Sequence, residues 1–451
     1  MADRDAVLRS IFKAYDIRGI VDEELTEELV RDIGAASAAV IGRDADAFVI
    51  GHDMRLSSEP LSRAFAEGVN SQGLDAVLIG LASTDMLYFA SGDLDLPGAM
   101  FTASHNPARY NGIKLCKAGA QPVSIDGGGS AIRDLVAQGR VAATGSGEVR
   151  HEDVLERFAD HVRSFVDAGA LRPVKLAVDA GNGMGGHVVP PVFAPLPFEV
   201  TPLYFELDGT FPNHPANPIE EDNLRDLQQV VREHGLQLGL AFDGDADRMF
   251  AVDEKGQPVP SSLIGAVVAR KMLQKAPGST VLYNLICSKV VPETIQANGG
   301  TAIRTRVGHS FIKETMAETD AVFAAEHSGH YYFRDNYRAD SGLIAAVVLL
   351  EAVSEADAPL SEVVAPYAVY APSGEVNFEV DDQRAALDRV EQHFAERGSI
   401  DRVDGLTVQL EDGWFNLRPS NTEPLLRLNV EGDDETAMVA LRDEVADLVT
   451  D

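Results

Sequence analysis

The sequence predicts an α/β protein built from several domains, and three observations lead there. At 451 residues the chain exceeds the size at which one hydrophobic core stops growing, so several separately packed units are expected. Three stretches repeat one plan, a short apolar run, a small or polar loop and then a helical pattern. They are the run 47–50 before Gly51-His52-Asp53, the run 174–178 before Asp179-Ala180-Gly181-Asn182-Gly183, and the run 280–283 before Asn284. The carboxyl-terminal part of the chain follows a different order of elements.

Repeated strand, turn and helix predict parallel or mixed sheets whose ligand loops lie at the carboxyl ends of strands. In the last part, a strand over 375–380 leads to a helix over 382–397. Two strands follow, one around Trp414 and one over 425–430, and a helix closes the chain from Glu435. That order describes a smaller α+β unit. Seams are expected in the Gly/Ala/Thr-rich segment 139–147, at the turn 253–256, and in the stretch 366–374 with its two prolines. They divide the chain into 1–146, 147–253, 254–368 and 369–451. Gly127-Gly128-Gly129 reads as a turn, since no P-loop or GxGxxG pattern accompanies any strand.

Hydrophobic residues make up 45% and charged residues 24% of the chain, ordinary values that exclude a largely disordered or fibrous protein. The first ten residues lack the apolar stretch of a secretory signal, and the longest apolar run, 343–350, is far short of the ~20 residues a spanning helix needs. A cytoplasmic location without membrane attachment is therefore expected. Cys116 and Cys287 form no CxxC pair and read as buried thiols. A formal charge of −33 argues against nucleic acid, whose binding needs surplus Lys and Arg. It leaves room for a small phosphorylated substrate, because a few cations in a cleft dominate locally.

Four segments carry chemistry. Thr102-Ala103-Ser104-His105-Asn106-Pro107 follows the apolar run 98–101 and places a serine and an adjacent histidine on a loop stiffened by proline. As a hexapeptide it also suits a polar turn. Asp243-Gly244-Asp245-Ala246-Asp247-Arg248 puts three carboxylates at alternate positions after the apolar run 236–242, where a hard cation bound through oxygen would relieve their repulsion. An EF-hand shares its first, third and fifth positions and Glu254 at the twelfth, but Arg248 stands where that loop needs glycine. Such an open site suits Mg²⁺ bridging to a phosphate, with Arg248 on a second phosphate oxygen. A solvated acidic turn is the alternative.

Arg418-Pro419-Ser420-Asn421-Thr422-Glu423-Pro424 brackets small polar residues with prolines behind an arginine, a pattern suited to phosphate and equally to a strand-joining loop. Glu326-His327-Ser328-Gly329-His330 offers an acid and a hydroxyl to vicinal sugar hydroxyls; zinc on His327 and His330 is the rival, without an HExxH pattern. Tyr15 and Arg18 in Tyr15-Asp16-Ile17-Arg18-Gly19, Lys114, and His309 and Lys313 in the segment 308–313 add further polar and cationic groups.

In this order the segments TASHNP, DGDADR, EHSGH and RPSNTEP resemble the α-D-phosphohexomutase family, the phosphomannomutases and phosphoglucomutases, from Tyr15 to Thr422. The resemblance implies three similar α/β domains with mixed sheets and a smaller C-terminal α+β domain around a central cleft. It implies Ser104 as a phosphorylated serine, with Mg²⁺ held by the phosphoserine, Asp243, Asp245 and Asp247. Glu326 and Ser328 would contact sugar hydroxyls, while Arg418, Ser420, Asn421 and Thr422 would bind the phosphate that is not reacting. Tyr15, Arg18, His105, Lys114, Arg248, His309 and His330 would line the cleft as phosphate ligands or proton carriers. One departure stands out: a lysine of some members appears here as Ile286 in Leu285-Ile286-Cys287, with Lys289 the nearest cation.

The expected reaction interconverts mannose 6-phosphate and mannose 1-phosphate through a hexose 1,6-bisphosphate, which also serves as activator. Phosphoglucomutase or dual activity is the near alternative. A metal-dependent phosphatase and a non-catalytic phosphosugar-binding protein are the other readings, the last opposed by the presence of both the serine and the triple aspartate. The fourth domain is expected to hinge closed on the ligand.

Overall fold

The structure, a computed structural model, describes residues 4–419 and 425–450. Each of the three strand–loop–helix stretches forms as expected: Ala47–His52 leads to the helix Ser58–Asn70, Val174–Asp179 to Gly185–Phe193, and Thr280–Asn284 to Val290–Ala297. These strands are buried on both faces because helices cover the sheets, which explains their continuous apolar runs.

Three sheets share one strand order that local sequence similarity does not reveal. In the first, Asp75–Leu81, Ala47–His52 and Gly98–Phe101 run parallel and Tyr110–Lys117 returns antiparallel. The second repeats this with Phe198–Leu203, Val174–Asp179, Leu238–Phe242 and Met249–Asp253. The third repeats it again with Thr301–Thr305, Thr280–Asn284, Phe323–Ala325 and Tyr331–Phe333. In every case the connection between the parallel strand and its antiparallel return is one of the polar segments: 102–109, 243–248 and 326–330. The three chemistry-bearing loops therefore occupy one topological position in three copies of a unit.

The fourth sheet is wholly antiparallel, in the order Ala371–Phe378, Leu426–Gly432, Gly413–Pro419, Leu406–Gln409 and Ser399–Asp401. The helices Gln383–Phe394 and Glu435–Thr450 pack on it. The last two strands of the sheet, Leu406–Gln409 and Ser399–Asp401, were not anticipated, because they are only four and three residues long. The composition-based seams also fall short of two edge strands. Val149–His151 pairs with Asp75–Leu81 in the first sheet, and Pro258–Val259 with Met249–Asp253 in the second.

One apolar cluster runs from Phe89 and Phe158 through Val178 and Phe242 to Phe333 and Leu349, so the three α/β units share a core. The helix Gly342–Ala356 lies at its centre, which accounts for the apolar run 343–350. No helix among the described residues is long and apolar enough to cross a membrane. The fourth unit has a core of its own around Phe394, Phe415 and Leu428. Polar contacts join it to the third: Val307 N–H donates to Asp404 at 3.1 Å, Lys289 N–H to Glu431 at 3.0 Å, and Tyr370 to Glu293 at 2.7 Å.

The helices Glu27–Ile41 and Ser58–Asn70 cross where each offers a glycine. A Cβ on Gly34 would strike the Phe65 carbonyl and one on Gly68 the Arg31 carbonyl, both backbone atoms that cannot swing aside. Gly68→Ala should therefore destabilise the protein by about 1–3 kcal/mol, measured by urea unfolding, because overpacking is relieved only by separating the helices.

Candidate active site

Ser104 follows the strand Gly98–Phe101 with φ of 50°, a left-handed conformation uncommon for a residue bearing Cβ. Its hydroxyl donates to Asp243 Oδ2 at 2.7 Å, although the two residues are 139 positions apart. Gly244 makes this approach possible, since a Cβ there would collide with the Ser104 carbonyl oxygen. Arg248 donates from Nε to Asp243 at 2.8 Å and from Nη2 to His105 Nδ1 at 2.5 Å, and lies 3.3 Å from the serine hydroxyl. Burial, with Arg248 and Arg18 nearby, pushes the His105 imidazole well below its usual range, so the ring is neutral near pH 7.

Asp243, Asp245 and Asp247 are almost completely buried, at 0%, 0% and 1% exposure. Their ligand atoms lie within 4.8 Å of one another. Burial and the neighbouring carboxylates outweigh Arg248 and raise Asp243 to about 6. Asp245 goes the other way: burial opposes its charge, but Lys114 and the Thr84 hydroxyl hold it low. Lys114, on the strand Tyr110–Lys117, donates to Asp245 at 2.7 Å and Asp247 at 2.6 Å. Asp245 Oδ1 and Asp247 Oδ1 are buried without a hydrogen-bond partner. An all-oxygen donor set with orphaned buried oxygens fits a hard divalent cation. The flanks are strands, Leu238–Phe242 and Met249–Asp253, so the EF-hand alternative does not hold.

The triple-aspartate loop touches the third unit directly, through a β-bridge between Arg248 and His330 and a bond from Met249 N–H to the Gly329 carbonyl at 3.2 Å. His330 Nδ1 lies 3.1 Å from Asp340 and 3.9 Å from Asp247. Burial opposes its charge, but both carboxylates outweigh it and raise its pKa. Glu326 is buried, accepting from Tyr332 at 2.5 Å and from Asn284 at 3.2 Å. Ser328 is half-buried beside it. His327 belongs to neither group of metal-binding geometry found among the described residues, which removes the zinc reading of His327 with His330.

Tyr15 packs edge-on against His309 at 4.9 Å, its hydroxyl seated over Gly308, where a side chain would clash. Burial and Asp404 raise its phenol pKa. Arg18 donates to Asn106 Oδ1 at 2.5 Å and so steadies the serine loop. Arg418, 4% exposed, is the penultimate residue of the strand Gly413–Pro419 and lies 3.7 Å from Glu375. Ser420, Asn421 and Thr422 lie outside the described residues. Lys289 does not stand in for the missing lysine: its Nζ is 3.7 Å from Asp433 and lies over the Tyr370 ring at 5.4 Å, while Ile286 is buried.

Sequence reasoning missed three side chains at the site. Arg55, which donates to the Ser104 carbonyl at 2.8 Å, and Asp340 stand alone in unremarkable segments, and Asn284 was noted only as the polar residue after an apolar run. Asp340 anchors both His330 and Lys313, the latter at 3.0 Å. Their signal is spatial, carried by partners 10 or more residues away.

All four parts of the chain match descriptions of one family, phosphoglucomutase/phosphomannomutase: alpha/beta/alpha domain I over residues 9–140, domain II over 156–256, domain III over 260–370, and the C-terminal domain over 375–448. A protein of Xanthomonas campestris pv. campestris described as phosphohexose mutases is 40% identical over 97% of this chain and 98% of its own. A phosphomannomutase of Salmonella montevideo is 39% identical, covering 96% of each chain. The crystal structure of a phosphoglucomutase/phosphomannomutase family protein from Burkholderia thailandensis superposes with a TM-score of 0.90 at 30% identity, over 100% of this chain and 98% of the other.

Proposed function

Because the chain belongs to the α-D-phosphohexomutase family and is a phosphohexose isomerase by that membership, we propose that it is a phosphomannomutase acting through phosphorylated Ser104. The observation that carries this reading is the Ser104 hydroxyl, 2.7 Å from a buried triple-aspartate loop of another unit. A solvated acidic turn would have no such partner. The phosphoserine gives its phosphoryl group to the free hydroxyl of a hexose monophosphate, the Oγ–P bond breaking as the sugar O–P bond forms and the hydroxyl proton passes to a base in the cleft. The resulting 1,6-bisphosphate turns over and returns its other phosphoryl group to Ser104.

Asp243, Asp245 and Asp247 would hold Mg²⁺ with the phosphoserine; when bound, the ion neutralises charge on the transferring phosphoryl group. Arg248 contributes a second, fixed positive charge there. His105 accepts from Arg248 at Nδ1, so its Nε2–H is free to donate to a phosphate oxygen. Lys114 balances the carboxylates between ligand states. Glu326, held by Tyr332 and Asn284, accepts from sugar hydroxyls beside Ser328, and His330 carries a proton at the same loop. Arg418, with Ser420, Asn421 and Thr422, binds the phosphate that is not reacting, while Tyr15, Arg18 and His309 line the cleft as phosphate ligands or proton carriers, Arg18 beside the serine loop. The acidic exterior does not oppose this, since salt screens it beyond ~8 Å.

Curated relatives described as phosphomannomutases, including the 38% identical one of Escherichia coli, favour mannose. The description phosphohexose mutases for another relative keeps glucose as a second substrate. Mannose 1-phosphate and glucose 1-phosphate, each with Mg²⁺ and a trace of glucose 1,6-bisphosphate, distinguish them by ³¹P NMR. Faster formation of mannose 6-phosphate is expected; conversion of glucose alone would assign a phosphoglucomutase, and conversion of neither would leave a binding protein.

A further inference from the structure

Arg55, to which no catalytic part has been given, donates four hydrogen bonds to carbonyls in and next to the serine loop. Arg55 is 3% exposed. Its Nη2 donates to the carbonyls of Ser104 at 2.8 Å and Asn106 at 2.7 Å, and its Nη1 to those of Pro107 and Tyr110, both at 3.0 Å. Its Nε faces Asp53 Oδ2 at 3.2 Å. A planar guanidinium reaches four diverging acceptors at once, which a lysine ammonium cannot do. The second unit closes over it: the Phe211 ring lies 5.1 Å from the guanidinium carbon, and Gly209 packs on the Arg55 backbone.

We propose that Arg55 is a positioning residue that holds the Ser104 loop in one shape through both phosphoryl transfers. Ser104 sits in a left-handed conformation that a free loop would leave. The inference rests on the phosphoserine reading, which demands an unusual constancy. Oγ must give its phosphoryl group to one end of the sugar, then take one back in line from the other end. A loop that relaxed in between would let the bisphosphate escape. A parallel arrangement supports the role: in the third unit the corresponding strand ends at Asn284, whose side chain steadies Glu326 on that unit's own loop.

Arg55→Lys separates positioning from structure, since it keeps a cation beside Asp53 and loses the fork. Turnover is measured per site that accepts ³²P from labelled bisphosphate, so unfolded molecules do not count. We expect kcat to fall about 10²-fold, as for a displaced reacting atom, with KM within about twofold and a larger requirement for added bisphosphate. A lysine variant that restores both melting temperature and kcat would make Arg55 merely structural and overturn the proposal. Should that variant not fold, Phe211→Ala carries the test: a kcat loss of about threefold at constant KM supports the clamp, and unchanged kcat defeats it. Ser104→Ala, run alongside, tests the underlying reading, because an active alanine variant sinks the phosphoserine while an inactive one beside full-speed Arg55→Lys sinks only the clamp.

Discussion

Ser104→Ala will lower kcat by about 10⁴-fold or more and abolish incorporation of ³²P from labelled glucose 1,6-bisphosphate, since on the proposed mechanism the loss removes the atom that carries the phosphoryl group. The fold should survive. Asp243 retains Arg248 at 2.8 Å after the hydroxyl is gone, so no buried charge is left without a partner. A second substitution sharpens the result. Ser104→Gly should be equally inactive yet melt at a higher temperature than the alanine variant, because glycine adopts φ of 50° without the cost, on the order of 1 kcal/mol, that a Cβ incurs there. Activity surviving in either variant would mean that the phosphoryl group reaches the sugar without this serine.

Chelation of divalent cations will stop turnover, and Mg²⁺ will restore it while raising the melting temperature. The stability readout is independent of catalysis. A ligand that binds only the folded state at about 100 times its Kd adds about 2.7 kcal/mol, and the buried carboxylates exist as a cluster only when folded. Asp245→Asn should abolish that Mg²⁺-dependent rise. It also removes a charge that pairs with Lys114 at 2.7 Å and accepts from Thr84 at 2.6 Å, so the variant should melt lower even without metal. A wild-type protein whose melting temperature ignores Mg²⁺, and whose activity survives chelation, would leave the cluster neutralised by Lys114 and Arg248 instead of by a metal.

Each of the three polar loops was legible from contiguous sequence, for a physical reason. Three carboxylates at alternate positions repel within the segment itself, and a serine beside a histidine before proline is a local arrangement. The doubly buried strands that precede these loops announce themselves as apolar runs, as does the central helix Gly342–Ala356. The edge strands Ser399–Asp401 and Val149–His151 did not, because an exposed edge places few demands on side-chain type. Ile286 likewise marked the absence of a lysine, but only the fold showed Lys289 turned toward Asp433.

What the sequence determined by itself was therefore the inventory: a serine, three aspartates, a glutamate in a His- and Ser-rich loop, and their order along an α/β chain. Tertiary structure decided which of them meet. It brought Ser104 to Asp243 across 139 positions and Thr84 to Asp245 across 161, and placed three loops at one position of a repeated unit. It alone revealed Arg55, whose hydrogen bonds to the serine loop all go to backbone carbonyls. Every residue has a carbonyl, so a side chain that grips a loop through carbonyls leaves no pattern of residue types on that loop to be read.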